Sequence, residues 1–164
     1  MTRPHALRAG ELRVAAAPER LAVHGLGSCV AVFIYDPRAR VGGLAHILLP
    51  APPPSAGEPD PGRAGRYATT AVAAIVEESI RQGARREALL AKVTGGSRMF
   101  AFDAGPGRVT VGDRNIEAAL AVLEALGVRV VGRDVGGTTG RTVVADLEDG
   151  RLIVRTLRGA PRVV

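Results

Sequence analysis

The stretch GLGSCVAVFIYDPRARVGGLAHILL, residues 25–49, holds two apolar runs on either side of a short polar segment. The polar segment begins with Asp36 and Pro37, and proline favours the second position of a tight turn because its φ is already fixed. Pro50 follows the second run and cannot continue a central strand. The stretch therefore predicts a β-hairpin around which the rest of the fold is built.

This hairpin brings the only cysteine of the chain, Cys29, near His46. With a four-residue loop from Asp36 to Ala39, Cys29 faces His46 directly, and their Cβ atoms are roughly 5 Å apart. With a five-residue loop, His46 lies opposite Val30 and points to the other face, because side chains alternate along a strand. The sequence leaves both registers open.

Cys29 has two interpretations. A single cysteine is commonly a small buried hydrophobic residue. However, Cys29 follows Gly25 and Gly27, and glycine can leave backbone N–H groups free beside the thiol. An enzyme nucleophile and its oxyanion donors are arranged in the same way. A nearby imidazole would take the thiol proton, and the imidazolium is expected to hold the pKa of the thiol below its free value of about 8.5. A Cys–His pair is the minimum apparatus of thiol acyl-transfer chemistry.

Further motifs follow the hairpin in a fixed order. The set is GLGSCVAV (25–32), YDP (35–37), GLAHILLP (43–50), KVTGGSRMF (92–100), VGDRNIEA (111–118) and DVGGTTGR (134–141). Together these motifs resemble the signature of the CheD family, the chemoreceptor glutamine deamidases of bacterial and archaeal chemotaxis. The resemblance runs from about residue 11 to residue 157.

The resemblance implies an activity and its partners. It makes Cys29 the nucleophile and His46 the general base of a protein-glutamine glutaminase. Such an enzyme hydrolyses glutamine side-chain amides of methyl-accepting chemotaxis receptors to glutamate and ammonia. The implied partners are the cytoplasmic helices of chemoreceptors and a CheC-type phosphatase, whose binding modulates deamidation. The implied fold has layered sheets related to those of deamidating bacterial toxins.

One position departs from the family. The third active-site residue of the family is a threonine six positions before the cysteine, where this chain has Val23. Valine keeps the branched shape but lacks the hydroxyl. His24 could replace it, although neighbouring residues of a strand point to opposite faces. The alternative function is therefore a regulatory binding module that contacts a CheC-type phosphatase or receptors and deamidates poorly.

Two glycine-containing segments are candidate substrate contacts. The bend that contains Gly27 and Ser28 is expected to offer backbone amides to the oxyanion, and the Ser28 hydroxyl either donates as well or stabilises the turn. The segment Gly95, Gly96 and Ser97 follows a predicted strand. It either brings its amides close to a substrate carbonyl or forms a tight turn for packing.

Composition narrows the class of protein. The chain has 164 residues, 46% of them hydrophobic and 3% aromatic, with a formal net charge of +6. The arginines are scattered and stacking aromatics are scarce, which argues against nucleic-acid binding and favours an acidic protein partner. No apolar run approaches the length of a membrane span, and no hydrophobic region follows the first residues. We expect a cytoplasmic protein without metal or cofactor.

The remaining periodicities predict one α+β domain, residues 1–164, with mixed and largely antiparallel sheets layered with two main helices. The core is expected over about residues 11–157, with a loose tail at 159–164. Helices are predicted at 67–82 and at 113–126, the second with Asp113 as N-cap. Residues 51–65, rich in Pro and Gly, form either a plain connector or a flap over the site. Strands are predicted at 12–14, 21–23, 89–93, 128–135, 141–147 and 152–157.

Overall fold

The computed structural model describes residues 2–58, 60–100 and 105–164. Over these residues the chain forms two five-stranded sheets and two α-helices. The strands are β1 (His5–Leu7), β2 (Leu12–Ala16), β3 (Arg20–Leu26), β4 (Val30–Asp36), β5 (Val41–Ile47), β6 (Leu90–Gly95), β7 (Arg129–Val135), β8 (Arg141–Asp146), β9 (Leu152–Arg155) and β10 (Arg162–Val163). The helices are α1 (Ala68–Arg81) and α2 (Val111–Ala125), and short 3₁₀ segments lie at Pro54–Ala56, Pro61–Arg66 and Arg86–Ala88.

The two sheets pack face to face and the helices cover one of them. The first sheet has the order β1-β3-β8-β9-β10 and the second the order β2-β5-β4-β6-β7. The pairs β1–β3 and β6–β7 are parallel, and the other pairs are antiparallel. The predicted α+β class with mixed, largely antiparallel sheets is confirmed.

Strand β4 lies at the centre of two hydrophobic cores. Its even-numbered residues, such as Val32, pack with α1 and α2, while its odd-numbered residues, such as Phe33, pack against the other sheet. Because both faces are covered, every residue of β4 and β5 is buried. This double burial explains why both strands are continuous apolar runs instead of alternating ones.

The register of the β4–β5 hairpin differs from both predicted registers. Asp36 pairs with Val41, so the loop comprises residues 37–40 and Ala31 lies opposite His46. Cys29 is two residues before Ala31 and therefore shares its face. Both predicted registers were wrong, but the observed one keeps Cys29 and His46 on the same face.

The Asp36 side chain accounts for the shift. Its Oδ1 atom accepts hydrogen bonds from the N–H groups of Arg38 and Ala39, at 2.8 and 3.1 Å, and its Oδ2 atom accepts one from the N–H of Arg85 at 2.8 Å. Arg40 closes the loop with a φ of 56°. This Asx turn fixes the loop at residues 37–40, one position later than the loop that the proline alone predicts.

The helices were predicted well except for one cap. Helix α1 agrees with its prediction, and Gly83 follows it with a φ of 109°. Helix α2 begins earlier than predicted, with Thr110 as N-cap. Asp113 is the third helical residue and completes a capping box, in which its side chain accepts from the N–H of Thr110.

The last residues are not a loose tail. Strand β10 pairs antiparallel with β9, and the N–H of Val164 donates to the carbonyl of Leu152 at 2.9 Å. Two strands, β1 and β10, were missed because three and two residues give no readable periodicity.

The predicted connector or flap at 51–65 is described except for residue 59. The segment Pro61–Arg66 packs against α1 and β5, and a Cβ atom on Gly65 would overlap the backbone of Gly10. These contacts favour the connector over the flap. Neither helix of the described residues is long and apolar enough to cross a membrane.

Candidate active site

Cys29 lies in the short bend between β3 and β4 and is half-buried. Two hydrogen bonds from the end of β6 hold this bend. The N–H of Gly96 donates to the carbonyl of Cys29 at 2.8 Å, and the N–H of Ser97 donates to the carbonyl of Gly27 at 2.8 Å. Backbone hydrogen bonds thus hold the bend at Cys29 and at Gly27, two residues earlier.

These bonds decide between the two interpretations of the segment Gly95, Gly96 and Ser97. Since the Gly96 and Ser97 amides already donate to the cysteine bend, they are not free for a substrate carbonyl, and the tight-turn interpretation is correct for them. Gly95 has a φ of 104°, and a Cβ atom there would overlap the carbonyl oxygen of Cys29. Glycine is required here because the backbone of β6 touches the backbone of the bend.

The bend itself keeps its amides free. Among the described residues, no backbone carbonyl accepts a hydrogen bond from the N–H of Gly27, Ser28 or Cys29. Ser28 is exposed, so these groups lie where a substrate can approach. The geometry suits an oxyanion site at the bend, as the sequence predicts.

His46 lies near the end of β5 with 6% of its surface exposed. The turn between β1 and β2 covers its backbone, because the N–H of Gly10 donates to the His46 carbonyl at 2.8 Å and the N–H of His46 donates to the Glu11 carbonyl at 2.9 Å. Its Nδ1 atom is buried without a hydrogen-bond partner among the described residues. No described group of the protein therefore occupies this nitrogen.

Burial sets the protonation of both groups. It raises the pKa of the Cys29 thiol above its ordinary value, and the N–H of Cys29 itself lowers it by less. Burial also lowers the pKa of His46, while the backbone of Leu7, the charge of Glu11 and the backbone of Arg8 raise it by less. The expectation of a depressed thiol pKa was wrong for this arrangement. The resting pair is a neutral thiol beside a neutral imidazole.

Val23 lies on β3 and faces the space between the sheets. It is fully buried and pairs with Val143 of β8 and with Leu7 of β1. His24 is exposed and lies on the opposite side of the strand. The structure therefore excludes His24 from the buried face that carries Cys29, as the strand alternation predicts.

Asn115 was missed in the sequence. It is fully buried on α2, and its Nδ2 group donates to the carbonyl of Ser28 at 2.9 Å and to the carbonyl of Leu48 at 2.8 Å. Ser28 precedes Cys29 and Leu48 follows His46 by two residues, so one side chain ties both halves of the candidate pair together. The available signal was a polar residue in line with Ala119 and Leu123 on the inward face of the helix.

Buried polar atoms without partners are concentrated around Cys29. Among the described residues they include His46 Nδ1, Thr94 Oγ1, Ser97 Oγ and Asn115 Oδ1. All four belong to residues that flank or hold the cysteine bend. Proteins rarely leave buried polar groups unpaired, and such groups call for an explanation. A polar substrate group that binds at Cys29 is such an explanation.

Comparisons with known proteins identify the family of the chain. The family model described as CheD chemotactic sensory transduction matches residues 48–156. A probable chemoreceptor glutamine deamidase CheD from Desulfitobacterium hafniense is 40% identical over 154 residues, which cover 94% of each chain. The chain belongs to the CheD family. The chemoreceptor glutamine deamidase CheD of Thermotoga maritima is also 40% identical, over 94% of this chain and 92% of that protein.

The CheD relatives cover the candidate pair although the family model begins after it. Because 94% of the chain is matched, the alignments extend through Cys29 and His46. Among solved structures, the hypothetical protein YfiH of Bacillus licheniformis has a TM-score of 0.48 and 14% identity, over 80% of this chain and 59% of that chain. That likeness is too distant to carry an argument, and the relationship to deamidating toxins stays a prediction.

Proposed function

We propose that this chain is a protein-glutamine deamidase that acts on chemoreceptors, with Cys29 as nucleophile and His46 as general base. The observation that carries the proposal is the common face of Cys29 and His46, surrounded by buried polar atoms without partners. The names of the relatives supply the substrate, since several are chemoreceptor glutamine deamidases.

The chemistry proceeds in two stages. His46 takes the Cys29 proton as the sulfur attacks the glutamine Cδ, and the N–H groups of Ser28 and Cys29 hold the oxyanion. The imidazolium then protonates the departing amine, which leaves as ammonia, and a γ-glutamyl thioester remains. A water molecule that has given its proton to His46 cleaves the thioester and yields glutamate and the free thiol.

The resting protonation fits this sequence of steps. Because burial raises the thiol pKa and lowers the imidazole pKa, the proton moves from sulfur to nitrogen only when attack begins. An ion pair before binding would need two charges inside a half-buried site, which is unfavourable without further partners.

The surface beside the bend suits a helical protein substrate. Met99 and Phe100 are exposed by 52% and 60%. A Cβ atom on Gly27 would lie 2.7 Å from the Met99 sulfur, so this methionine borders the cysteine bend. An apolar rim of this kind can pack on a receptor helix, and the net charge of +6 favours an acidic one. A CheC-type phosphatase stays a predicted partner.

The absence of a hydroxyl at Val23 favours the second candidate, a binding module that deamidates poorly. Ammonia release distinguishes an active deamidase from such a binding module. The chain is incubated with a cytoplasmic receptor fragment, and free ammonia and the intact mass of the fragment are followed over time. The first proposal expects equal amounts of ammonia and of amide-to-acid conversion. Binding of the fragment without either signal would favour the module.

Matched variants test the residues. Cys29→Ala and His46→Ala are expected to abolish both signals while circular dichroism and the unfolding midpoint stay near wild type. His24→Ala is the matched control, because it removes an exposed histidine from the other face of β3. Equal activity of wild type and Cys29→Ala would remove the catalytic assignment.

A further inference from the structure

Thr94 carries a hydroxyl that the proposed mechanism does not use. It lies on β6, is fully buried, and its Oγ1 atom has no hydrogen-bond partner among the described residues. A buried hydroxyl without a partner destabilises the fold relative to a satisfied one. A valine of the same shape would avoid this cost, so the hydroxyl calls for an explanation.

Thr94 and His46 occupy equivalent positions on the two strands that flank β4. On one side of β4, Ala31 lies opposite His46 of β5, and on the other side it lies opposite Thr94 of β6. All three side chains therefore point to the face between the sheets, as does that of Cys29 two residues earlier. Cys29 is one residue before β4, and an extended continuation of the strand would put Thr94 and His46 at its diagonal positions, where Cβ separations are about 7–8 Å or somewhat less.

Two charged groups on this face are already paired. Asp134 is the β7 partner of Thr94 in the strand register, but its carboxylate accepts from Arg141 at 3.0 Å and from Arg162 at 2.6 and 3.0 Å. Lys92, on the same face of β6, donates to the Gly150 carbonyl at 2.7 Å. The group that becomes an acceptor during catalysis is the sulfur of Cys29.

We propose that the Thr94 hydroxyl donates a hydrogen bond to the Cys29 thiolate as His46 takes the proton. This inference rests on the proposed function for its role in catalysis. No covalent bond changes at Thr94, because the hydroxyl keeps its proton and turns it toward the developing charge. The side chain directly opposite Thr94 on β4 is the small one of Ala31, which leaves room for this approach.

Alkylation of Cys29 by iodoacetamide as a function of pH tests the inference without any deamidase substrate. Thr94→Val removes the hydroxyl and keeps the shape. A hydrogen bond to a charged group is worth about one pKa unit or slightly more, so the apparent pKa of alkylation should rise by about one unit. Thr94→Ser should restore most of the wild-type profile. The titratable and charged groups on the packed elements are His46, Glu11, Lys92, Asp134 and Arg141, and they are unchanged in these variants.

A second hydroxyl provides the matched control. Ser79 is also fully buried, but its Oγ atom donates to the Ile75 carbonyl within α1 at 2.6 Å. Ser79→Ala should leave the alkylation profile of Cys29 unchanged. In Thr94→Val, a second change of Val23→Thr should return the apparent pKa toward wild type. With receptor fragment, Thr94→Val should lower kcat about tenfold with little change in KM.

Failure of the Thr94 inference and failure of the proposed function give different results. A wild-type profile for Thr94→Val overturns the inference, whatever the deamidase assay shows. A shifted profile that Thr94→Ser reverses supports the inference, even if wild type releases no ammonia and the proposed function fails. If Thr94→Val does not fold, the comparison of Thr94→Ser with Thr94→Ala decides, and identical profiles for these two overturn it.

Discussion

Cys29 and His46 are diagonal neighbours on one face of the β4–β5 hairpin, with Ala31 directly opposite His46. The backbone therefore brings their Cβ atoms to about 7–8 Å or less, and the side chains must lean toward each other to exchange a proton. Both groups are neutral at rest because burial disfavours either charge. The strands position the two side chains, and the proton moves between them only when a substrate binds.

The protonation of this pair predicts a pH dependence of stability. The pKa of His46 in the folded chain is below its ordinary value of 6.5, so the unfolded chain binds the proton more readily. Stability should then fall as the pH drops through 6.5 toward the folded pKa. Urea unfolding at several pH values measures this slope. His46→Gln should flatten it, whereas His24→Gln should not; equal slopes in both variants would contradict the assignment.

The raised thiol pKa predicts slow alkylation. At pH 7, iodoacetamide should modify Cys29 more slowly than the free thiol of a short peptide, and the rate should climb at a higher pH than for the peptide, since burial raises the thiol pKa and the thiolate is the reactive form. Binding of a receptor fragment should protect Cys29. Alkylation faster than that of the peptide at pH 7 would show a preformed thiolate and contradict the neutral resting pair.

Two glycines with nearly equal φ test the contact at the cysteine bend. Gly95 and Gly159 have φ values of 104° and 101°, so alanine is strained at both. Only at Gly95 does the added Cβ atom overlap the Cys29 carbonyl, since nothing lies within 4 Å of it at Gly159. Gly95→Ala should lower the deamidation rate about a hundredfold, because small displacements of a reacting group are costly. Gly159→Ala should leave the rate near wild type.

Asn115→Ala should affect both stability and activity. It leaves the buried carbonyls of Ser28 and Leu48 without their donor, so we expect a loss of about 2–4 kcal/mol in the free energy of unfolding. The deamidation rate should fall by more than the loss of folded protein explains, because the cysteine bend loses its hydrogen-bonded link to Leu48 at the end of β5. The control is Glu117→Ala on the exposed side of α2. Wild-type activity in Asn115→Ala would show that the tie is dispensable.

Val23→Thr should raise the deamidation rate. The side chain is nearly the same shape, and its new hydroxyl faces the space between the sheets, where a hydrogen bond is worth about 1–3 kcal/mol, or roughly ten- to a hundredfold in rate. We expect at least a severalfold increase in ammonia release from a receptor fragment. An unchanged rate would contradict this prediction and show that deamidation does not need a hydroxyl at this position.

The sequence by itself determined the elements whose signals are local. The apolar runs around Asp36 and Pro37 specify the hairpin, the helical spacing of Val72, Ile75 and Val76 specifies α1, and the ordered motifs specify the family. The hairpin also placed Cys29 near His46, because two strands joined by a short turn must lie side by side.

Only the tertiary structure decided the relations that depend on distant residues. The register followed from Asp36, whose carboxylate also binds the N–H of Arg85, far along the chain. The amides of Gly96 and Ser97 proved to hold the cysteine bend, and Asn115 proved to join Ser28 to Leu48. Which hydrogen-bond donor meets which acceptor across strands and helices is set by packing of the whole core, and local periodicity carries no record of it.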